Sequence, residues 1–142
     1  MRLWTKFALT TALALSMPVI ASAQYRDLDT ARSNLVRGFT EGDTQAIIAG
    51  MSESDHVQLQ FPGLIDQSGF FGRDQATYIL EQLFAKAKPT NFVLQHLEKV
   101  STEAQYQFNG PWTVASGVRT LYITLHGKGD KWSIVSLKSI GK

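Results

Sequence analysis

The chain of 142 residues contains no cysteine. That excludes a disulfide framework, a lipid anchor attached through cysteine and a thiol nucleophile. Histidine is scarce: His56, His96 and His126 stand far apart, and none has a second His, Asp or Glu at the helical spacing of a zinc motif. No metal site and no cofactor are expected. No serine sits in a Gly-x-Ser-x-Gly elbow. Gly69-Phe70-Phe71-Gly72 lacks the lysine and the Ser/Thr of a phosphate loop. A basic excess is also missing. Lys and Arg number 14 and Asp and Glu 12, and two of the cations, Arg2 and Lys6, lie at the extreme N-terminus. Beyond them the count is 12 against 12, so nothing marks the chain as a nucleic-acid binder.

The one long apolar run is N-terminal. Arg2 and Lys6 precede Phe7–Ile20, and Ala21-Ser22-Ala23 supplies small residues for cleavage before Gln24. This pattern predicts a signal peptide over residues 1–23 and an exported protein, periplasmic or secreted. The run is shorter than the roughly 20 residues of a spanning helix, and Pro18 interrupts it, so no membrane anchor is expected after cleavage. About 119 residues then remain (24–142), a suitable size for one domain held by its own core.

Three amphipathic helices are predicted. Asp27 or Asp29 can cap the first, whose stripe is Leu28, Ala31, Leu35 and Phe39 and which Gly42 stops. Asp43 can cap a second, with Ala46, Ile47 and Met51 apolar. The third, Arg73 to Lys88, carries Ala76, Ile79, Leu80, Leu83, Phe84 and Ala87 and ends at Pro89. Between the second and third, His56–Phe61 alternates as a strand with Val57, Leu59 and Phe61 on one face. Pro62-Gly63 ends it, and 64–71 is a loop or short irregular strand. After Pro89 four strands are expected: 91–100, 104–114 with a bulge at Asn109-Gly110-Pro111, 118–126 and 131–140. Helices first and a meander last predict an α+β fold, three helices packed on a strongly curved, mainly antiparallel sheet.

This order, with Glu41-Gly42-Asp43-Thr44-Gln45-Ala46-Ile47 and Phe71-Gly72-Arg73-Asp74-Gln75-Ala76, resembles the nuclear-transport-factor-2-like superfamily. These are cystatin-like α+β cones that include ketosteroid isomerases and polyketide cyclases. Gly72–Phe84, Asn91-Phe92-Val93-Leu94-Gln95-His96 and Arg119-Thr120-Leu121-Tyr122-Ile123 resemble more closely a family of exported bacterial proteins, domain of unknown function 4783. The resemblance implies a deep pocket between sheet and helices, and dimers through the sheet's outer face. It also implies which chemistry is missing. The isomerase base would fall at Phe61, before Pro62, and the oxyanion-holding tyrosine at Leu35, two turns before Gly42-Asp43. Neither side chain has a proton to give or take.

The function expected is therefore a non-catalytic module that binds a small apolar ligand or a protein partner, as a homodimer through the sheet. Phe61, His96, Tyr106, Trp112 and Tyr122 are the expected pocket residues. No catalytic residue is assigned. The alternative is a pocket enzyme of isomerase, lyase or hydrolase type that uses His96 or a tyrosine as acid or base. His56 shares a face with Gln58 and Gln60, a solvated one. His126 ends its strand and is expected to be exposed. Tyr78 lies opposite the third helix's apolar stripe and is the exposed aromatic most suited to a contact.

Overall fold

The computed structural model describes residues 24–99, 104–129 and 131–141; the expected leader lies outside them. Helix α1 (Leu28–Glu41) starts at Asp27, whose side chain accepts a hydrogen bond from the Thr30 amide at 2.6 Å. That bond holds the Asp27 carboxyl below its ordinary pKa. The helix ends at Gly42 in the left-handed region. Asp43 caps α2 (Thr44–Ile48), accepting from the Ala46 amide at 3.4 Å. Helix α3 (Arg73–Ala87) buries its whole predicted stripe, Ala76, Ile79, Leu80, Leu83, Phe84 and Ala87. It follows the first two strands rather than standing with α1 and α2.

Seven strands form one sheet: β1 (Val57–Gln60), β2 (Gly69–Phe71), β3 (Asn91–Phe92), β4 (His96–Lys99), β5 (Gln105–Val114), β6 (Gly117–Lys128) and β7 (Lys131–Ile140). Their order is β2-β1-β7-β6-β5-β3, with β4 also on β5. Pairings are antiparallel except β1 with β7, which is parallel. The helices cover the inner face of the curved sheet, the α+β architecture that the pattern of elements predicts.

The expected bulge lies on a different strand. Strand β5 runs unbroken against β6 from Gln105 to Val114, and the irregularity falls on its other neighbour. Phe92 pairs with Trp112 and His96 with Asn109, so three residues, 93–95, face two, Gly110 and Pro111. The predicted strand 91–100 is thereby split in two. Across the gap the Val93 amide donates to Pro111 O at 3.1 Å and the Gln95 amide to Asn109 O at 2.9 Å. Glycine at 110 permits this, because a Cβ there would overlap the Val93 carbonyl oxygen. A second bulge occurs on β7, where Val135 is the extra residue between Ile134, paired with Leu125, and Ser136, paired with Thr124.

Phe39 of α1 is the hub of the core. Its ring meets Phe84, Phe92 and Trp112 edge-on at centroid distances of 5.6, 5.9 and 5.4 Å, and Trp112 in turn meets Phe61 at 5.9 Å. At the other end Tyr25 closes the core. Its backbone pairs with Trp132 through bonds of 2.8 and 2.7 Å, and its hydroxyl donates to Ala46 O at 2.9 Å. Gly50 leaves the space that the Tyr25 ring fills.

Burial pushes the Tyr25 phenol far above its ordinary pKa. In both folded and unfolded chains the group is neutral below about pH 10. Above that the unfolded chain ionises and the folded one does not. Stability is thus expected to hold through neutral pH and to fall as pH rises past about 10. Tyr25→Phe should cost about 1 kcal/mol at pH 7 and flatten part of the alkaline decline. Urea unfolding between pH 7 and 11 measures both, and equal pH slopes in the two proteins would refute the assignment.

Candidate functional site

Of the five expected pocket residues, the four whose side chains are described do not line one cavity. Phe61 and Trp112 are fully buried. A side chain with no accessible surface lines no open space, so these two are core. The Trp112 indole donates to Phe39 O at 2.9 Å. That carbonyl lies in the last turn of α1 and lacks a helical partner, so the indole serves as a helix cap. Tyr106 shares the inner face of β5 further along the strand, half-buried and edge-on to Trp132 at 5.3 Å. Tyr122 is on the opposite face of the sheet, paired between Asn109 and Lys138. Strand periodicity of two on unbroken β5 and β6 enforces that separation. His96 pairs with Asn109 in the register; its side chain lies outside the described residues.

Leu35 and Phe61, the positions that the resemblance matches to the isomerase groups, are both fully buried among apolar side chains. The interior is occupied because α1 and α3 send Phe39 and Phe84 into the space that β3 and β5 fill with Phe92, Phe108 and Trp112. Among the described residues no three His, Asp or Glu side chains gather as a metal site, and no helix is long and apolar enough to cross a membrane.

The outer face of the sheet carries amides and hydroxyls. One row runs Asn109, Tyr122, Lys138, Gln60 and the next Gln107, Thr124, Ser136, Gln58. His126 is not exposed as expected. Strand β6 continues to Lys128, and the His126 ring is half-buried with Nδ1 lacking a partner among the described residues. His56 is exposed, just before β1.

The apolar concavity lies elsewhere, between β2 and α3. Phe71, Tyr78 and Ile79 line it, with Gln67, Asp74 and Gln75 at the rim, around about 430 Å³. Tyr78 is 60% exposed, as its position opposite the helix stripe predicts, and its hydroxyl accepts from Gln82 Nε2 at 2.9 Å. Phe71 pairs with Val57 and points inward, whereas Phe70 pairs with Gln58, on the outward face, and is 68% exposed. Strand β2 is the edge of the sheet. Among the described residues no strand pairs with its other side, which leaves backbone amide and carbonyl groups free. Sequence reasoning missed this place because 69–71 is too short to show a period. The signal was two consecutive phenylalanines, only one of which the core can take.

The family model described as Domain of unknown function (DUF4783) matches residues 33–139, from α1 to β7. Solved structures repeat the fold. A DUF4783 family protein from Bacteroides ovatus is 20% identical, with a TM-score of 0.64 over 78% of this chain and 96% of that one. One from Bacteroides uniformis is 17% identical, with a TM-score of 0.66 over 78% and 95%. An NTF-2-like protein of unknown function from Shewanella oneidensis is 15% identical, with a TM-score of 0.56 over 78% and 96%. No curated protein matches the chain. At these identities the structures speak for the fold alone, an NTF2-like cone. The family match spans most of the chain, so the chain belongs to the DUF4783 family.

Proposed function

We propose that this protein is a non-catalytic binding module that takes an extended segment of a partner protein along the β2 edge and the α3 groove. The observation that carries this reading is the contrast between a filled interior and an exposed aromatic edge. Phe61 and Trp112 have no accessible surface, while Tyr78 is more than half exposed in the lining of an apolar concavity and Phe70 is more than half exposed on the other face of the same edge strand. Small-molecule sites enclose most of their ligand, and this groove is open along its length. An unpaired strand edge supplies main-chain hydrogen bonds to a peptide, and an adjacent apolar groove supplies selectivity. The pocket-enzyme alternative has less support, because Phe61 and Trp112 fill the interior and Tyr122 faces away from it.

A random-peptide display selection against the folded protein tests the reading. Enriched peptides are expected to alternate apolar and polar residues. Phe70→Ala and Tyr78→Ala should each weaken them at least about tenfold and leave stability within about 0.5 kcal/mol. Peptides that bind both variants as well as wild type would sink the proposal. Light scattering on the eluting protein separates this from self-association. A dimer that Phe70→Ala dissociates would assign the edge to a second copy instead.

A further inference from the structure

Helix spacing brings a carboxylate, an amide and an aromatic ring onto one wall of the β2–α3 groove. Asp74 and Tyr78 are one turn apart on α3, and so are Gln75 and Ile79. Residues at that spacing are neighbours on a helix surface, with about 5–6 Å between Cβ atoms. All four line the concavity of about 430 Å³, and Gln67 and Phe71 line it with them. Ile79, nearly buried, and half-buried Phe71 form its floor. Gln82 Nε2 donates to the Tyr78 hydroxyl at 2.9 Å, and Gln67 Nε2 donates to Gln82 Oε1 at 3.4 Å. This chain steadies the exposed end of the tyrosine, so the ring stands as a wall.

These groups share one preference. Asp74 offers a carboxylate, the oxygens of Gln67 and Gln75 accept hydrogen bonds, and the face of Tyr78 attracts a cation. An arginine side chain meets all of them at once. Its methylene stem covers apolar surface while the charged head stays at the wet rim. The planar head stacks on an aromatic face and matches a carboxylate through two donors. A lysine head is compact and strongly hydrated and does not stack. A wholly apolar side chain would cover the floor and leave Asp74 and the amides without partners. The cations nearest in the chain are placed elsewhere. Arg73 Nη1 lies 3.6 Å from Glu53 Oε2, and both residues line the neighbouring hollow. Lys86 is about 18 Å beyond Asp74 along the axis of α3, outside the Debye length of about 8 Å at physiological salt. The positive end of the helix dipole opposes a cation here, but only as about half a charge against the full charge of Asp74.

We propose that this concavity is the subsite for an arginine side chain of the partner segment, its guanidinium stacked on Tyr78 and paired with Asp74. A segment added beside β2 turns every second side chain to the α3 side, the side of Phe71. The side chains between them lie with Phe70 on the outer face. The inference rests on the groove reading for the segment that carries the arginine, whereas the subsite itself is tested without any segment.

The test titrates the full chain with N-acetyl-arginine N-methylamide and with its citrulline and lysine counterparts, following the amide resonances of residues 74–79. Citrulline keeps the shape of arginine and loses the charge. At low salt the arginine compound is expected to bind about three- to thirtyfold more tightly than the citrulline one, the joint effect of an exposed ion pair and a cation–π contact. The lysine compound should fall between them. Asp74→Asn should reduce the ratio of arginine to citrulline affinity. Tyr78→Ala should weaken the arginine compound and Tyr78→Phe should keep it, because the ring face is the contact. Equal binding of arginine and citrulline, equal binding of arginine and lysine, or a ratio unchanged in Asp74→Asn would each overturn the proposal. Selected peptides that depend on Phe70 and Tyr78 but carry no arginine would also overturn it and leave the edge reading intact. An arginine preference that Asp74→Asn reduces, with no peptide selected, would uphold the subsite and count against the edge reading instead.

Discussion

Trp112→Ala is expected to lower the unfolding free energy by about 3–5 kcal/mol, the largest effect of any single truncation in the core. Two losses combine. The indole contacts Phe39 and Phe61 on both sides and is fully buried, so its removal leaves a cavity that the flanking aromatics cannot fill without leaving their rotamers. The indole N–H also satisfies Phe39 O, and its loss strands a helix-end carbonyl in an apolar interior. Trp112→Phe separates the two, keeping most of the volume and losing the donor, at about 1–3 kcal/mol. Urea denaturation of both variants gives the comparison. A cost below about 1 kcal/mol for Trp112→Ala would mean that the interior holds adaptable space. The reading of the cone as a filled core rather than a pocket would then be wrong.

Gly110→Ala is expected to cost about 3 kcal/mol or more, at the upper end for one added methyl group. A Cβ at this position overlaps the Val93 carbonyl oxygen and also comes within 3.1 Å of the Gln95 amide nitrogen. Both obstacles are backbone, so no side-chain rotation relieves them. The strand must move away, and the bonds from Val93 to Pro111 and from Gln95 to Asn109 are the ones that break. Hydrogen exchange on the variant locates the damage. The amides of Val93 and Gln95 should lose protection while those in the β6–β7 ladder keep it. Uniform loss across the sheet would show that the bulge is not an independent element.

Parts of this fold were legible because one local rule decided them. The α3 stripe from Ala76 to Ala87 is buried throughout, since a helix period of 3.6 leaves one face for the core. Asp27, Gly42 and Asp43 bound their helices by capping chemistry that needs no tertiary partner. Gly110 was recognisable as a break, but not which strand would carry the extra residue. A glycine marks where backbones approach closely, and only the partner's register shows who moves. Arg119 also carried a signal in its parity with Leu121 and Ile123. A charged residue in an apolar alternation reads as a strand end unless the loop at Pro62 is seen to receive it.

The candidate site was less legible for a physical reason. Aromatic residues in strands can line a pocket or fill it, and their spacing is the same in both cases. Sequence alone determined the fold class and the family, and the resemblance set Phe61 and Leu35 at the positions expected of the isomerase groups. The tertiary structure decided which aromatics are core and which are surface. Phe39 and Phe84 come from helices distant in the chain, and their meeting with Phe61 and Trp112 closes the interior. The same packing leaves Phe70 outside because adjacent residues of a strand point to opposite faces and only Phe71 can reach the core.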